Sequence, residues 1–436
     1  MSNPRISVPQ RNQIEFREFC LDRFIRPDDI VRAVWDYVCG LDMSSVLGGV
    51  RAVEGGPGRN AIDPRILMCL WMYATIDGQS RGRKIARLAE RDLAYMWICG
   101  GVGVNYHAVC DFRKDHGELF RQFLIDSIAA LMNQGLVTLQ TVAQDGMRVR
   151  AHAGGSSFRS EDRLKEFQEQ AAEHVRQLEE ADQDDDGDAP GQSPEGEELS
   201  PRRLSARQRA ARERKERIDR ALENLEELKA QKENRKKGTG QGTRASTSDP
   251  EARTMKMGDG GFRPAFNVQF ATDSETRMIV GCGVSNVGSD GGLMPPMLEK
   301  LAGDYGRVPE EYLVDGGTVT KDAVTKAGEM GTRVVGPMND AERFRANGKD
   351  PHDRRDRDNE AMAAFRERMR SPQEQAKLKT RPSIAEFPNA ECRNRGLHQY
   401  PVRGLKNVLS HTLLHVLTFN FMRMRHLGFS DRLGVT

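Results

Sequence analysis

Hydrophobic positions recur every three to four residues over the first third of the chain. Ile30, Val31, Val34, Trp35 and Val38 form one such set, and Ile66, Leu67, Leu70, Trp71 and Tyr73 another. Each set follows a Pro-Asp or Asp-Pro start signal, so residues 1–133 are predicted to form a helical N-terminal domain. Within it, 80–91 reads as a basic amphipathic helix, and Gly100-Gly101-Val102-Gly103 parts it from a stretch carrying Tyr106, His107, Phe112, Arg113 and Lys114. Helix, glycine-rich turn and a second helix bearing Arg and Lys suits a DNA-binding element. An ordinary solvated basic face is the plainer alternative.

From residue 136 the pattern changes to alternating β-branched positions. A strand over 137–144 is expected to end at Asp145-Gly146. Two similar runs, 266–270 and 277–284, flank the turn Asp273-Ser274-Glu275 and predict a hairpin. A helical run follows from Gly292 through Leu298 and Leu301. A short strand, 312–314, stops at Asp315-Gly316-Gly317; a helix covers 319–329; and a strand over 332–335 closes at Gly336-Pro337. The alternation predicts an α/β fold in which a mixed sheet carries helices on its faces, built from 134–158 and 246–436. The last apolar run, Leu405 through Met422, is expected to be a long core helix, and the charged stretch 340–381 before it a helix with a mobile loop.

The 436 residues are 37% hydrophobic and 30% charged, more polar than a compact domain, and the excess has an address. Residues 159–237 are about half charged, acidic around 182–198 and basic over 202–237. Leu164, Phe167, Ala171, Val175 and Leu178 are spaced by three and four, as are Ile218, Leu222, Leu225 and Leu228. A charged insert over 159–245 is therefore expected to be an antiparallel helical hairpin with a disordered acidic tip. Lys+Arg 66 against Asp+Glu 64 leaves a net charge of +2, so a nucleic-acid surface has to come from local segregation of charge. The seven cysteines, at 20, 39, 69, 99, 110, 282 and 392, show no zinc-ligand spacing and suggest a reduced, cytoplasmic protein. The longest apolar run, 66–73, is too short to span a membrane, and no signal-peptide pattern opens the chain.

Three acids stand out by position: Asp145 and Asp315 at expected strand ends, and Glu386 near the start of an expected helix. Asp-Gly is also a common turn signal, but Asp145 leads into Met147-Arg148-Val149-Arg150-Ala151-His152 and Asp315 into a helix. In open α/β sheets the carboxyl ends of strands are where catalytic groups collect. A carboxylate cluster there repels itself unless it is protonated or binds hard cations such as Mg²⁺ or Mn²⁺. Two ions about 4 Å apart could serve phosphoryl transfer.

Val142-Ala143-Gln144-Asp145-Gly146 with Arg148-Val149-Arg150-Ala151, Leu313-Val314-Asp315-Gly316-Gly317, and Glu386 followed by Arg393, 403–408 and 420–423 together resemble the three blocks of bacterial insertion-sequence DDE transposases. The stretches 80–87 and 109–113 resemble the helical domain that precedes the core in one branch of that family. The resemblance implies an RNase H-like core in which Asp145, Asp315 and Glu386 hold Mg²⁺ or Mn²⁺, as two ions. It implies cleavage at terminal inverted repeats of double-stranded DNA, joining to target DNA, a homodimer or larger synaptic complex, and a nucleoid-associated place in the bacterial cytoplasm. Candidate DNA contacts are Arg81, Arg83, Lys84, Arg87, Arg113, Lys114, Arg148, Arg381 and Arg393, the last standing where the family has a Lys.

The block around Glu386 departs from the family. It reads Glu386-Phe387-Pro388-Asn389-Ala390-Glu391-Cys392-Arg393, and Pro388 predicts a helix starting near 387 or 388. Glu391 is then a rival third acid. His411 replaces a Glu of the final helix, Asp290 is an auxiliary residue or an N-cap, and His152 is a phosphate contact or a loop histidine. Two other readings stay open: an inactive DNA-binding protein of transposase descent, and a scaffold that self-associates through the hairpin.

Overall fold

The computed structural model describes residues 20–50, 52, 60–183, 191–192, 198–199, 201–233 and 242–429. The helical periodicity of the first third corresponds to α1 (Ile30–Cys39), α2 (Pro64–Ile76), α3 (Gly82–Leu88), α4 (Leu93–Cys99), α5 (Tyr106–Asp115) and α6 (Gly117–Asn133). Asp29, Asp63, Asp92 and Asn105 start four of these by accepting a first-turn backbone N–H. Gly82 lets α3 lie directly on α5, since a Cβ there would stand 2.5 Å from Cys110 Sγ.

The central sheet is mixed. It contains β1 (Thr141–Arg150), β2 (Arg253–Lys256), β3 (Phe262–Asp273), β4 (Ile279–Ser285), β5 (Glu311–Leu313) and β6 (Arg333–Val335), in the order β6-β5-β1-β3, with β2 and β4 both pairing with β3. β5 and β6 run parallel to β1, whereas β3 is antiparallel to β1, β2 and β4. The hairpin and the two short parallel strands lie where the periodicity put them. β1 differs: it does not end at Asp145 but continues to Arg150, with Asp145 paired to Phe270 and Gly146 to Gln269. An Asp-Gly pair disfavours a strand locally, yet nine consecutive pairs with β3 and burial of Met147 and Val149 carry the strand through it.

Helices α9 (Met294–Tyr305), α10 (Lys321–Glu329), α11 (Glu360–Met369), α12 (Pro372–Asn394) and α13 (Leu405–His426) follow or flank the parallel strands. α13 is buried along most of its length and packs against α2, α6 and β4. It thereby joins the N-terminal helices and the sheet in one continuous apolar core. The expected helix start near 387 is corrected, because α12 runs from Pro372 through both Pro382 and Pro388. An interior proline costs about 3 kcal/mol of helix stability. Burial of Ile384, Ala385, Pro388, Asn389 and Cys392 and packing against β1 and β3 offset that cost.

The insert forms α7 (Glu161–Gln183) and α8 (Pro201–Glu233). Glu161 pairs with Lys229, Gln168 donates to Asp219 and Arg212 pairs with Glu179, an order that makes the arms antiparallel. Leu164, Ala171, Leu178, Ile218 and Leu225 are buried between them. The expected acidic tip lies mostly outside the described residues, as do 234–237 of the basic run. Among the described residues no helix is long and apolar enough to cross a membrane.

Candidate active site

Parallel pairing of β1 with β5 sets Ala143 opposite Leu313. Two residues further along each chain stand Asp145 and Asp315, so the register carries both carboxylates to the same level of neighbouring strands, whose spacing is about 4.8 Å. Asp315 is held by the turn that follows it, its Oδ1 accepting from the Thr318 backbone N–H at 3.0 Å and from Thr318 Oγ1 at 2.6 Å. Burial pushes the pKa of Asp145 above its ordinary value; Arg381 pulls it down, and the charge of Asp315 pushes it up again.

α12 lies over this pair. Arg381 Nη2 donates to Asp145 Oδ1 at 2.8 Å, and Asn389 Nδ2 donates to Asp145 Oδ2 at 2.8 Å. Neither residue is fully satisfied, because Arg381 Nε and Asn389 Oδ1 are buried without partners. Glu386 is three residues before Asn389 on the same helix, with an exposed side chain. Arg393 is exposed seven residues on, hence on nearly the same helical face. The rival acid Glu391 is engaged by Arg395 at 2.6 Å. The structure therefore brings Asp145, Asp315 and Arg381 together, and puts Glu386 on the covering helix without a direct bond to them.

The opposite face of β1 carries a polar ladder that sequence reasoning missed. Tyr312 donates to Gln144 Oε1 (3.0 Å), Gln144 Nε2 to Gln269 Oε1 (2.8 Å), and Gln269 Nε2 to both Asn267 Oδ1 (2.9 Å) and Asp290 Oδ1 (2.7 Å). Arg148 closes the ladder with an ion pair to Asp290 at 2.9 Å, which is where the structure puts both of these candidates. Gly146 is the residue over which the ladder crosses, since a Cβ there would stand 2.1 Å from Gln269 Nε2. The alternation Gln144, Gly146, Arg148 facing Asn267 and Gln269 is the signal that could have revealed it.

Of the basic candidates in the N-terminal helices, Arg81, Arg83, Lys84, Arg87 and Lys114 are exposed. Arg83 lies over the Tyr106 ring at 4.8 Å. Arg113 is only 7% exposed and stacks on Trp71 at 4.6 Å, so most of its guanidinium serves the core. His411 is a core residue between Trp71, Tyr400 and His415.

Among the described residues no group of three or more His, Cys, Asp or Glu is arranged to hold a metal ion. The chemistry of the neighbouring carboxylates Asp145 and Asp315, with the unpartnered Asn389 Oδ1 beside Asp145, is that of oxygen ligands for a hard divalent cation, and Glu386 is the further carboxylate on the covering helix. Searched against protein families, curated proteins and solved structures, the chain matches none.

Proposed function

We propose that the chain is a DNA transposase of the DDE type, cutting double-stranded DNA at element ends and joining the freed strand to target DNA. The observation that carries this reading is the placement of Asp145 and Asp315 at one level of adjacent parallel strands beneath α12. The sheet supports an RNase H-like core: β1, β3 and β4 antiparallel on one side, β5 and β6 parallel to β1 on the other. Asp145, Asp315 and Glu386 would hold Mg²⁺ or Mn²⁺, which when bound activates the attacking oxygen and stabilises the leaving one. Asn389 orients Asp145, and Arg381, freed from it, is placed to meet a phosphate. A homodimer or larger complex on paired DNA ends, associated with the nucleoid, belongs to the same proposal.

Cleavage of labelled DNA carrying the element ends, with Mg²⁺ or Mn²⁺, tests it. Metal-dependent cutting should fall to background in Asp145→Asn, Asp315→Asn and Glu386→Gln but persist in Glu391→Gln. Engagement of both Asp145 oxygens by Arg381 and Asn389 favours a second reading, an inactive DNA-binding protein of the same descent. Binding without cutting by the folded wild type would select it.

A further inference from the structure

The start of α13 and the turn after β1 meet α5 at a cleft of about 410 Å³, lined by Asp111, Arg113, Lys114, His152, Arg403 and Asn407 among others. Its cations come from separate parts of the chain: Lys114 from α5, Arg403 from just before α13, with Arg81 close enough to act electrostatically on His152. Arg81, Lys114 and Arg403 are exposed, and among the described residues none has an acidic partner within 4 Å. Arg26, Arg121, Arg212, Arg263 and Arg370 are each paired to a carboxylate; what sets the cleft apart is that cations from separate elements converge on it. Asp111 is the acid lining the cleft, and the balance of charge is positive. Arg217 of α8 is near enough to feel Arg403, which with burial holds the Arg217 pKa below its ordinary value. Burial and then the charges of Arg403 and Arg81 likewise lower that of His152.

We infer that this cleft grips the phosphodiester backbone of duplex nucleic acid, with Lys114 and Arg403 as the principal contacts and Arg217 bringing the helical hairpin to the same strand. Unpaired cations held at close quarters by separate elements are relieved of mutual repulsion when an anion enters. His152 supplies the one flat ring in the lining, too little for successive single-stranded bases to stack on, so the site reads backbone charge. Its position sets a distance. His152 follows Asp145 by seven residues of mostly extended chain, about 20 Å at the rise of a strand. The grip therefore falls about six base-pair steps from the carboxylate pair. This inference rests on the nucleic-acid part of the proposed function and not on its chemistry.

The test is equilibrium binding of a fluorescent 30-base-pair duplex to the full chain over a series of salt concentrations. Lys114→Ala with Arg403→Ala should weaken binding tenfold or more and lower the slope of log K against log salt by about 2. Lys326→Ala with Arg307→Ala, exposed cations outside the cleft, should leave both unchanged. If the cleft pair melts early, Lys114→Gln alone carries the test with a slope change of about 1. A slope equal to that of the wild type overturns the inference, as does equal loss in the control pair or tighter binding of the corresponding single strand. Duplex binding through the cleft without any cleavage would end the proposed chemistry and keep this site; cleavage with an unchanged salt slope would do the reverse.

Discussion

Each face of β1 takes a polar group into the fold, yet the two are finished differently. On the Gln144 side, side chains from β1, β3, β5 and the Asp290 turn form a chain of hydrogen bonds that ends in an ion pair. On the Asp145 side, a carboxylate is met by one guanidinium and one amide, each left with a buried atom unpaired. An unpaired buried polar group costs about 1–3 kcal/mol, so folding alone would not select the second arrangement. The ladder holds the strand in register; the open valences on the other face are what a ligand can satisfy.

A third buried polar pair tests whether unpaired groups always mark a ligand. His411 and His415 in α13 are fully buried with all four ring nitrogens unpartnered. Burial holds both neutral, with His415 brought down to about 3 and His411 well below its ordinary value. Because the native pKa is depressed, their contribution is intact above the unfolded value of about 6.5 and is lost as pH falls below it. The linkage slope is about 1.4 kcal/mol per pH unit for each histidine, so the pair should cost about 4 kcal/mol between pH 7 and pH 5. In urea titrations, His411→Phe with His415→Phe should lose about that much less stability over the interval than the wild type. Equal losses would mean that the histidines find partners, and would weaken the contrast drawn on β1.

The ladder side predicts the next largest effect. Gly146→Ala forces a methyl to within 2.1 Å of Gln269 Nε2 and 2.7 Å of Asp290 Oδ1. Displacing Gln269 breaks its bonds to Gln144, Asn267 and Asp290 together. Overpacking and lost pairing give an expected destabilisation of about 3 kcal/mol, read as a lower urea midpoint. A change below about 0.5 kcal/mol would show the ladder to be soft and remove the distinction between the faces.

Much of this architecture was legible because hydrophobic period is a direct record of burial. The hairpin of β3 and β4, the short parallel strands and α13 all lie where alternation or three-and-four spacing put them. Two failures share a cause: local propensity was outvoted by packing. Asp145-Gly146 reads as a terminator, but Gly146 is in mid-strand because the ladder leaves no room for a side chain. Pro388 reads as a helix boundary, but α12 passes through it, and through Pro382, because it is fastened to Asp145 at Arg381 and Asn389 and buried on the sheet. Asp145 and Asp315 were legible as a pair because each follows a short apolar strand. The roles of Arg148 and Arg113 were not, since an arginine that closes a ladder or stacks on a buried Trp71 looks in sequence like one that faces solvent.

The smallest expected effect belongs to the open face and depends on divalent metal. Arg381→Ala removes one of the two groups on Asp145 and leaves a buried carboxylate with Asn389 alone. Without divalent metal this should cost about 1–3 kcal/mol, within the range for stranding a charged acceptor. It also removes a positive charge from the place where a cation would bind, so Mg²⁺ or Mn²⁺ should raise the melting temperature of the variant more than that of the wild type. A merely structural arginine would give the first effect without the second. Equal metal-induced shifts in the two proteins, or none in either, would mean that the unpaired atoms beside Asp145 await no cation, and that the two faces of β1 differ in finish but not in purpose.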